Sequence, residues 1–175
     1  MAIVLANLAN ISFTSGHFPT VMKEGIVVPL LKKSGLDVTD LKNFHPVTNL
    51  STISKVPEHL ALARLKSHIR ASPNYCILQS AYRQEHSTEM AISMILDDIT
   101  GSIDSGHVVA LVSLDISAAF DSVAHDVLVQ RLEDEFGVTG TCGRWISDYL
   151  TVRSFTVRVG QSTSPSRPMT TGVLS

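Results

Sequence analysis

The sequence predicts an α+β fold, and three observations predict it. Short β-branched apolar runs occur at residues 26–31, 108–114 and 155–159. Between them lie stripes in which apolar residues return every three or four positions, the period of a helix with one buried face. Gly and Pro punctuate the transitions, at Gly16, Pro19, Ser34-Gly35, Gly106 and Gly137.

Taken in order, residues 1–11 are apolar on one helical face, carry no cationic leader and are too short to span a membrane. Residues 26–31 read as a strand that ends in Lys32-Lys33 and turns at Ser34-Gly35. From Ser54 to Ile69 the positions Val56, Leu60, Leu62, Ala63, Leu65 and Ile69 form a helical stripe. Pro57 fits that helix if it lies in the first turn; in the interior it would cost about 3 kcal/mol. A second helix starts near Ser87 or Thr88, with Glu89 in its first turn and Met90, Ile92, Met94, Ile95, Leu96 and Ile99 expected to pack behind it. Val127, Leu128, Leu132 and Phe136 carry the next helix, which Gly137 ends. Trp145, Ile146, Tyr149 and Leu150 form the last helical face. Phe155, Val157 and Val159 alternate with Thr156 and Arg158, the mark of a half-buried strand.

Composition narrows the class. A chain of 175 residues with 44% hydrophobic and 17% charged residues can bury a core of its own. Its formal net charge of -2 gives no basic footprint, which counts against autonomous template binding. Cys76 and Cys142 lack metal-ligand spacing, so neither a zinc site nor a disulfide framework is indicated and a reducing, intracellular compartment, nuclear or cytoplasmic, is expected. There is no Gly-x-Ser-x-Gly elbow and no phosphate-cradling Gly loop ahead of a helix. The histidines, His107 and His125 among them, show no ligand spacing and receive no role.

The richest segment is residues 108–123. An apolar run ends in Asp115, followed by Ile116, small residues and Phe120. A strand buried on both faces reads this way, and open α/β sheets place functional groups at strand ends. On pattern alone Asp115 is equally a cap for the helix that follows, and Phe120 reads first as a core aromatic. Asp121 reads as a cap or a turn partner.

This segment resembles motif A of reverse transcriptases, most closely those of non-LTR, LINE-type retrotransposons. The resemblance runs along nearly the whole chain in the family's order. It includes Gly16-His17-Phe18-Pro19, Val28-Pro29-Leu30-Leu31-Lys32-Lys33, Asn43-Phe44-His45-Pro46, Gln79-Ser80-Ala81-Tyr82-Arg83, His86-Ser87-Thr88-Glu89 and Thr171-Gly172-Val173.

The resemblance implies fingers and an early palm: residues 1–107 as N-terminal helix and fingers, 108–175 as early palm, with an incomplete antiparallel palm sheet. It implies an RNA-directed DNA polymerase acting on an RNA template, a DNA primer and deoxynucleoside triphosphates, with two Mg²⁺ ions in the complete site and no membrane. Asp115 would be a metal ligand through its carboxylate and Ile116 through its carbonyl. Lys32 and the residue at His45 would meet the triphosphate, Phe120 would lie under the sugar, and Tyr82 and Arg83 would lie along the template. Three departures stand out. His45 replaces the usual Arg, Pro57 replaces an ordinary helix former, and Gln84-Glu85 replaces the usual Pro-Gly.

These residues contain no aromatic-x-Asp-Asp run, the source of the family's paired carboxylates. The chain is therefore expected to be inactive alone, and to expose apolar surface near residues 111–114 unless the remainder of the polymerase covers it. A non-catalytic nucleic-acid-binding or interaction module is the alternative. A phosphotransferase using Asp115 as nucleophile would need an acid two residues on, where Ser117 stands.

Overall fold

A computed structural model describes residues 2–116 and 119–173. Expectations resting on Met1, Ser117, Ala118, Leu174 and Ser175 lie outside the described residues. The elements run α1 (Ala2–Ser15), β1 (Glu24–Leu31), β2 (Phe44–Asn49), α2 (Lys55–Ala71), α3 (Thr88–Asp104), α4 (His125–Phe136), α5 (Gly140–Leu150), β3 (Arg153–Val159), β4 (Ser162–Thr163) and β5 (Arg167–Met169). The chain divides into two units, one of residues 1–73 with 118–175 and one of residues 74–117.

In the first unit a five-stranded mixed sheet has the path β2-β1-β3-β4, with β5 pairing β3 as well. β1 runs antiparallel to β2 and parallel to β3. Pro29 and Pro46 face each other across β1 and β2. The Lys32 N–H donates to the Asn43 carbonyl at 2.9 Å. Alternation along an antiparallel ladder then makes Pro29–Pro46 a pair without mutual hydrogen bonds, where two residues lacking N–H groups cost nothing. On its other edge Pro29 has no N–H to offer β3, and the parallel pairing stops at Val27–Val157. Proline thus sets the length of the parallel ladder.

The core of this unit is aromatic. Phe18, Met22, Val138, Trp145, Ile146 and Leu150 are buried together. Trp145 stacks on Tyr149 with centroids 5.6 Å apart, and Phe18 meets both rings edge-on. The Trp145 indole N–H donates to the Ser12 hydroxyl at 2.8 Å, which satisfies its polar edge and ties α5 to α1. Asp148 accepts from the Phe18 N–H at 2.7 Å and pairs with the Lys23 ammonium at 3.1 Å. Arg153, 2% exposed, lies over the Tyr149 ring and donates to the Tyr149 carbonyl at 3.0 Å.

The helices follow their sequence signals. Pro57 lies in the first turn of α2 and is buried, so the missing N–H falls where a helix needs none. Gly137 ends α4 at φ 64°, a left-handed conformation that glycine adopts without penalty. The stripe around Trp145 and Leu150 forms α5 and is buried as expected.

In the second unit, Ser87 caps α3 by accepting from the Met90 N–H at 3.2 Å, at the predicted start. Two expectations are corrected here. Met90, Ile92, Met94, Ile95 and Leu96 do not pack behind α3; each is exposed, and α3 has no buried residue among those described. Residues 107–116 form neither strand nor helix, and Val108, Leu111, Val112 and Leu114 are exposed, Leu114 by 90%. β propensity becomes a strand only where another strand takes up the backbone N–H and C=O groups, and no described strand pairs with this run. The exposed apolar surface expected near residues 111–114 is present.

Candidate functional site

Lys32 and His45 are brought to one hairpin. His45 lies opposite Leu30, and Lys32 follows two residues after Leu30, so the pleat puts Lys32 and His45 on the same side as diagonal neighbours, about 7–8 Å apart. Both are exposed. The Lys32 ammonium donates to the Lys42 carbonyl at 2.8 Å, and the Asn43 side chain donates to the Asp37 carbonyl at 2.9 Å, which ties the connecting loop down. No acid forms an ion pair with Lys32 among the described residues, so its charge is available to an anion.

Phe120 lies in the turn before α4 and is 53% exposed, which sets aside the core-aromatic reading. The backbone around it is held by the segment 171–173. The Gly172 N–H donates to the Val123 carbonyl at 2.8 Å, the Val173 N–H donates to the Phe120 carbonyl at 3.1 Å, and Ala124 bridges Thr171. A Cβ on Gly172 would lie 2.8 Å from the Asp121 Cα and carbonyl oxygen, and Gly172 has φ 78°. Both the space and the dihedral require glycine at this crossing. The motif around Phe120 and the Thr171-Gly172-Val173 motif, remote in sequence, are therefore one structural feature.

Tyr82 and Arg83 lie in the loop ahead of α3, within the second unit. Tyr82 is 78% exposed, so it is not a core aromatic. Its φ is 57°, and Glu85 follows at 61°. Two non-glycine residues in left-handed conformations within four positions are strained, by roughly 1–3 kcal/mol each. The Arg83 guanidinium donates to the Ile77 carbonyl at 2.9 Å, which closes the loop on itself. Glu85 holds at φ 61° a conformation that glycine adopts without penalty.

Asp115 and Ile116 lie exposed at the end of the irregular run 107–116. Among the described residues no three His, Cys, Asp or Glu side chains converge to hold a metal ion. One carboxylate and one carbonyl fall short of the oxygen set that an octahedral divalent cation requires. The donors present do not make a metal site.

Sequence reasoning missed His125. Its Nε2 lies 2.6 Å from the Gly172 carbonyl oxygen. A single histidine at a helix start has no spacing to reveal it. An apolar cavity of about 460 Å³, lined by Phe13, Leu65, Val138, Trp145 and Ile146 with Arg64 and His68 beside them, contains none of the residues to which the sequence gave a binding or catalytic role.

Comparison with known proteins adds an independent line. Residues 30–173 match the family described as reverse transcriptase (RNA-dependent DNA polymerase). The chain is 29% identical, over 98% of its length, to a probable RNA-directed DNA polymerase from transposon BS of Drosophila melanogaster. It is 26% identical, over 97% of its length, to the RNA-directed DNA polymerase of the mobile element jockey from the same fly. Over 88% of its length it is 26% identical to a Pol polyprotein of the type-1 retrotransposable element R2 of Popillia japonica. The chain spans 18%, 18% and 21% of these three relatives, respectively. Members of this family generally use divalent metal ions and bind a nucleic-acid template. No helix among the described residues is long and apolar enough to cross a membrane.

Proposed function

The chain belongs to the reverse transcriptase (RNA-dependent DNA polymerase) family, and on that premise we propose that it supplies the fingers and early palm of a retrotransposon RNA-directed DNA polymerase, residues 1–107 and 108–175 respectively. The observation that carries this reading is the docking of the Phe120 turn on residues 171–173. It joins two motifs of the family at one place, with an accessible aromatic beside them. In this reading Phe120 underlies the sugar of an incoming deoxynucleoside triphosphate and rejects a 2′-hydroxyl by bulk, a discrimination that needs a large, fixed ring. Lys32 meets the triphosphate as a point charge, and His45 adds a donor with less reach than an arginine fork. Tyr82 stacks on a base or sugar of the RNA template or DNA primer and Arg83 meets a phosphate. By resemblance Asp115 and the Ile116 carbonyl would be two of the ligands of a two-Mg²⁺ site, ions that would activate the primer hydroxyl and stabilise the leaving pyrophosphate.

One observation favours a second reading, a non-catalytic nucleic-acid-binding module: Tyr82, Lys32 and Lys33, a stacking ring and two cations, are exposed. Either reading operates inside the cell, nuclear or cytoplasmic, where the exposed thiols of Cys76 and Cys142 stay reduced.

Binding of a labelled RNA–DNA primer-template across a salt series tests the common ground. Affinity should fall linearly in log–log form with salt, and Arg83→Ala should shallow the slope by roughly one unit, for the one phosphate no longer neutralised, while Lys32→Ala, which removes a triphosphate contact, should leave the slope unchanged. Affinity that is absent at low salt, or indifferent to salt, would overturn the proposal.

A further inference from the structure

We infer that His125 is a positioning residue of this site: its side chain fixes the segment 171–173 against the Phe120 turn. The inference rests on the reading of Phe120 as the sugar-facing residue. The two segments are joined backbone to backbone by the Gly172 N–H to Val123, the Val173 N–H to Phe120, and the Ala124–Thr171 bridge. A side chain adds to these: the His125 ring, whose Nε2 lies 2.6 Å from the Gly172 carbonyl oxygen in a part-buried setting. A carbonyl oxygen carries no proton, so Nε2 must carry it and donate. That fixes the ring's tautomer.

The chain around His125 makes the interaction specific. His125 opens α4, so its backbone is set by the helix, while Ala124, immediately before it, is held by the bridge to Thr171. Gly172 is thereby gripped on both sides, its N–H by Val123 and its C=O by His125. At φ 78° Gly172 is the residue here with the widest choice of backbone conformations, and a glycine left free would wander. The imidazole removes that freedom. Because Val173 in turn donates to the Phe120 carbonyl, a displaced Gly172 releases the backbone that carries the Phe120 ring.

The test is amide hydrogen exchange on the purified chain, with ¹⁵N spectra of the imidazole. In the wild type the ring should show a protonated Nε2. His125→Ala should speed exchange at Gly172 and Val173 by about tenfold, roughly what losing one hydrogen bond implies, and leave the amides of α5 unchanged. His125→Gln, whose amide can donate to the same carbonyl, should restore most of the protection. A general loss of packing would instead raise exchange in α5 as well, and glutamine would not reverse it; that pattern would overturn the inference. So would unchanged exchange at Gly172 and Val173 in His125→Ala, or a ring whose Nε2 carries no proton. Failure of the nucleotide-site reading would show elsewhere, as absent primer-template binding in a wild type whose Gly172 is still protected.

Discussion

Replacing Gly172 with Ala puts a methyl group where the chain has no room. Two costs add. A non-glycine residue at φ 78° costs about 1–2 kcal/mol. The new Cβ would lie 2.8 Å from two backbone atoms of Asp121 and 3.0 Å from the Phe120 carbonyl oxygen. Backbone cannot swing aside as a side chain can, and such overpacking adds about 1–3 kcal/mol. The sum is about 3 kcal/mol, limited by what it costs the segment 171–173 simply to let go. Gly160→Ala is the matched control, because Gly160 has φ 59° and nothing within 4 Å of its would-be Cβ. It should lose only the dihedral cost, about 1 kcal/mol. Urea unfolding of the three proteins gives the difference, and amide exchange at Val173 shows where it acts. If the two variants fall equally and Val173 stays protected, the close approach of the two motifs is wrong.

Other perturbations follow from the same structure. Glu85→Gly should relieve a φ of 61° and stabilise the loop ahead of α3 by about 1 kcal/mol, read as slower proteolysis between Gln79 and Ser87. Asp148→Asn keeps an acceptor for the Phe18 N–H but leaves the Lys23 ammonium, 5% exposed, without its carboxylate. The cost should be about 3 kcal/mol in urea unfolding, and Lys23→Met in the same chain should recover much of it. Burial raises the Glu58 carboxyl above its ordinary range, against the opposing pull of Arg153, Ser54 and nearby cations. A raised acid favours folding fully below its unfolded value, and that contribution is lost as pH rises through the folded value. Glu58→Gln should therefore gain stability over the wild type as pH climbs above about 4, in parallel urea titrations.

Legibility in the sequence tracked how local each signal was. α2, α4 and α5 announce themselves by period, α2 also by a Pro57 that fits only a first turn and α4 by the Gly137 that ends it, because such signals act within a few residues. The strands at β1 and β3 were readable as strands, but their parallel pairing was not, since nothing in either run states its partner. The run before Asp115 misled for the same reason. Its composition is that of a buried strand, yet composition cannot supply the neighbour that makes one. The exposed face of α3 misled likewise, since a stripe shows what could be buried and not what covers it. In the candidate site the sequence named residues but not their assembly: nothing in either run states that the Phe120 turn docks on Thr171-Gly172-Val173. His125 was invisible because its partner lies 47 positions away along the chain.

On this reading the chain carries nucleic-acid-binding groups and, among the described residues, no complete metal site, and a single primer-extension assay addresses both. It combines the purified chain, an RNA template with a labelled DNA primer, deoxynucleoside triphosphates and Mg²⁺, and is read for both shifted and lengthened primer. Primer should be bound and not lengthened, in the wild type and in Asp115→Asn alike. Lengthening by the wild type that Asp115→Asn abolishes would contradict the reading, because Asp115 and the Ile116 carbonyl would then have sufficed for catalysis.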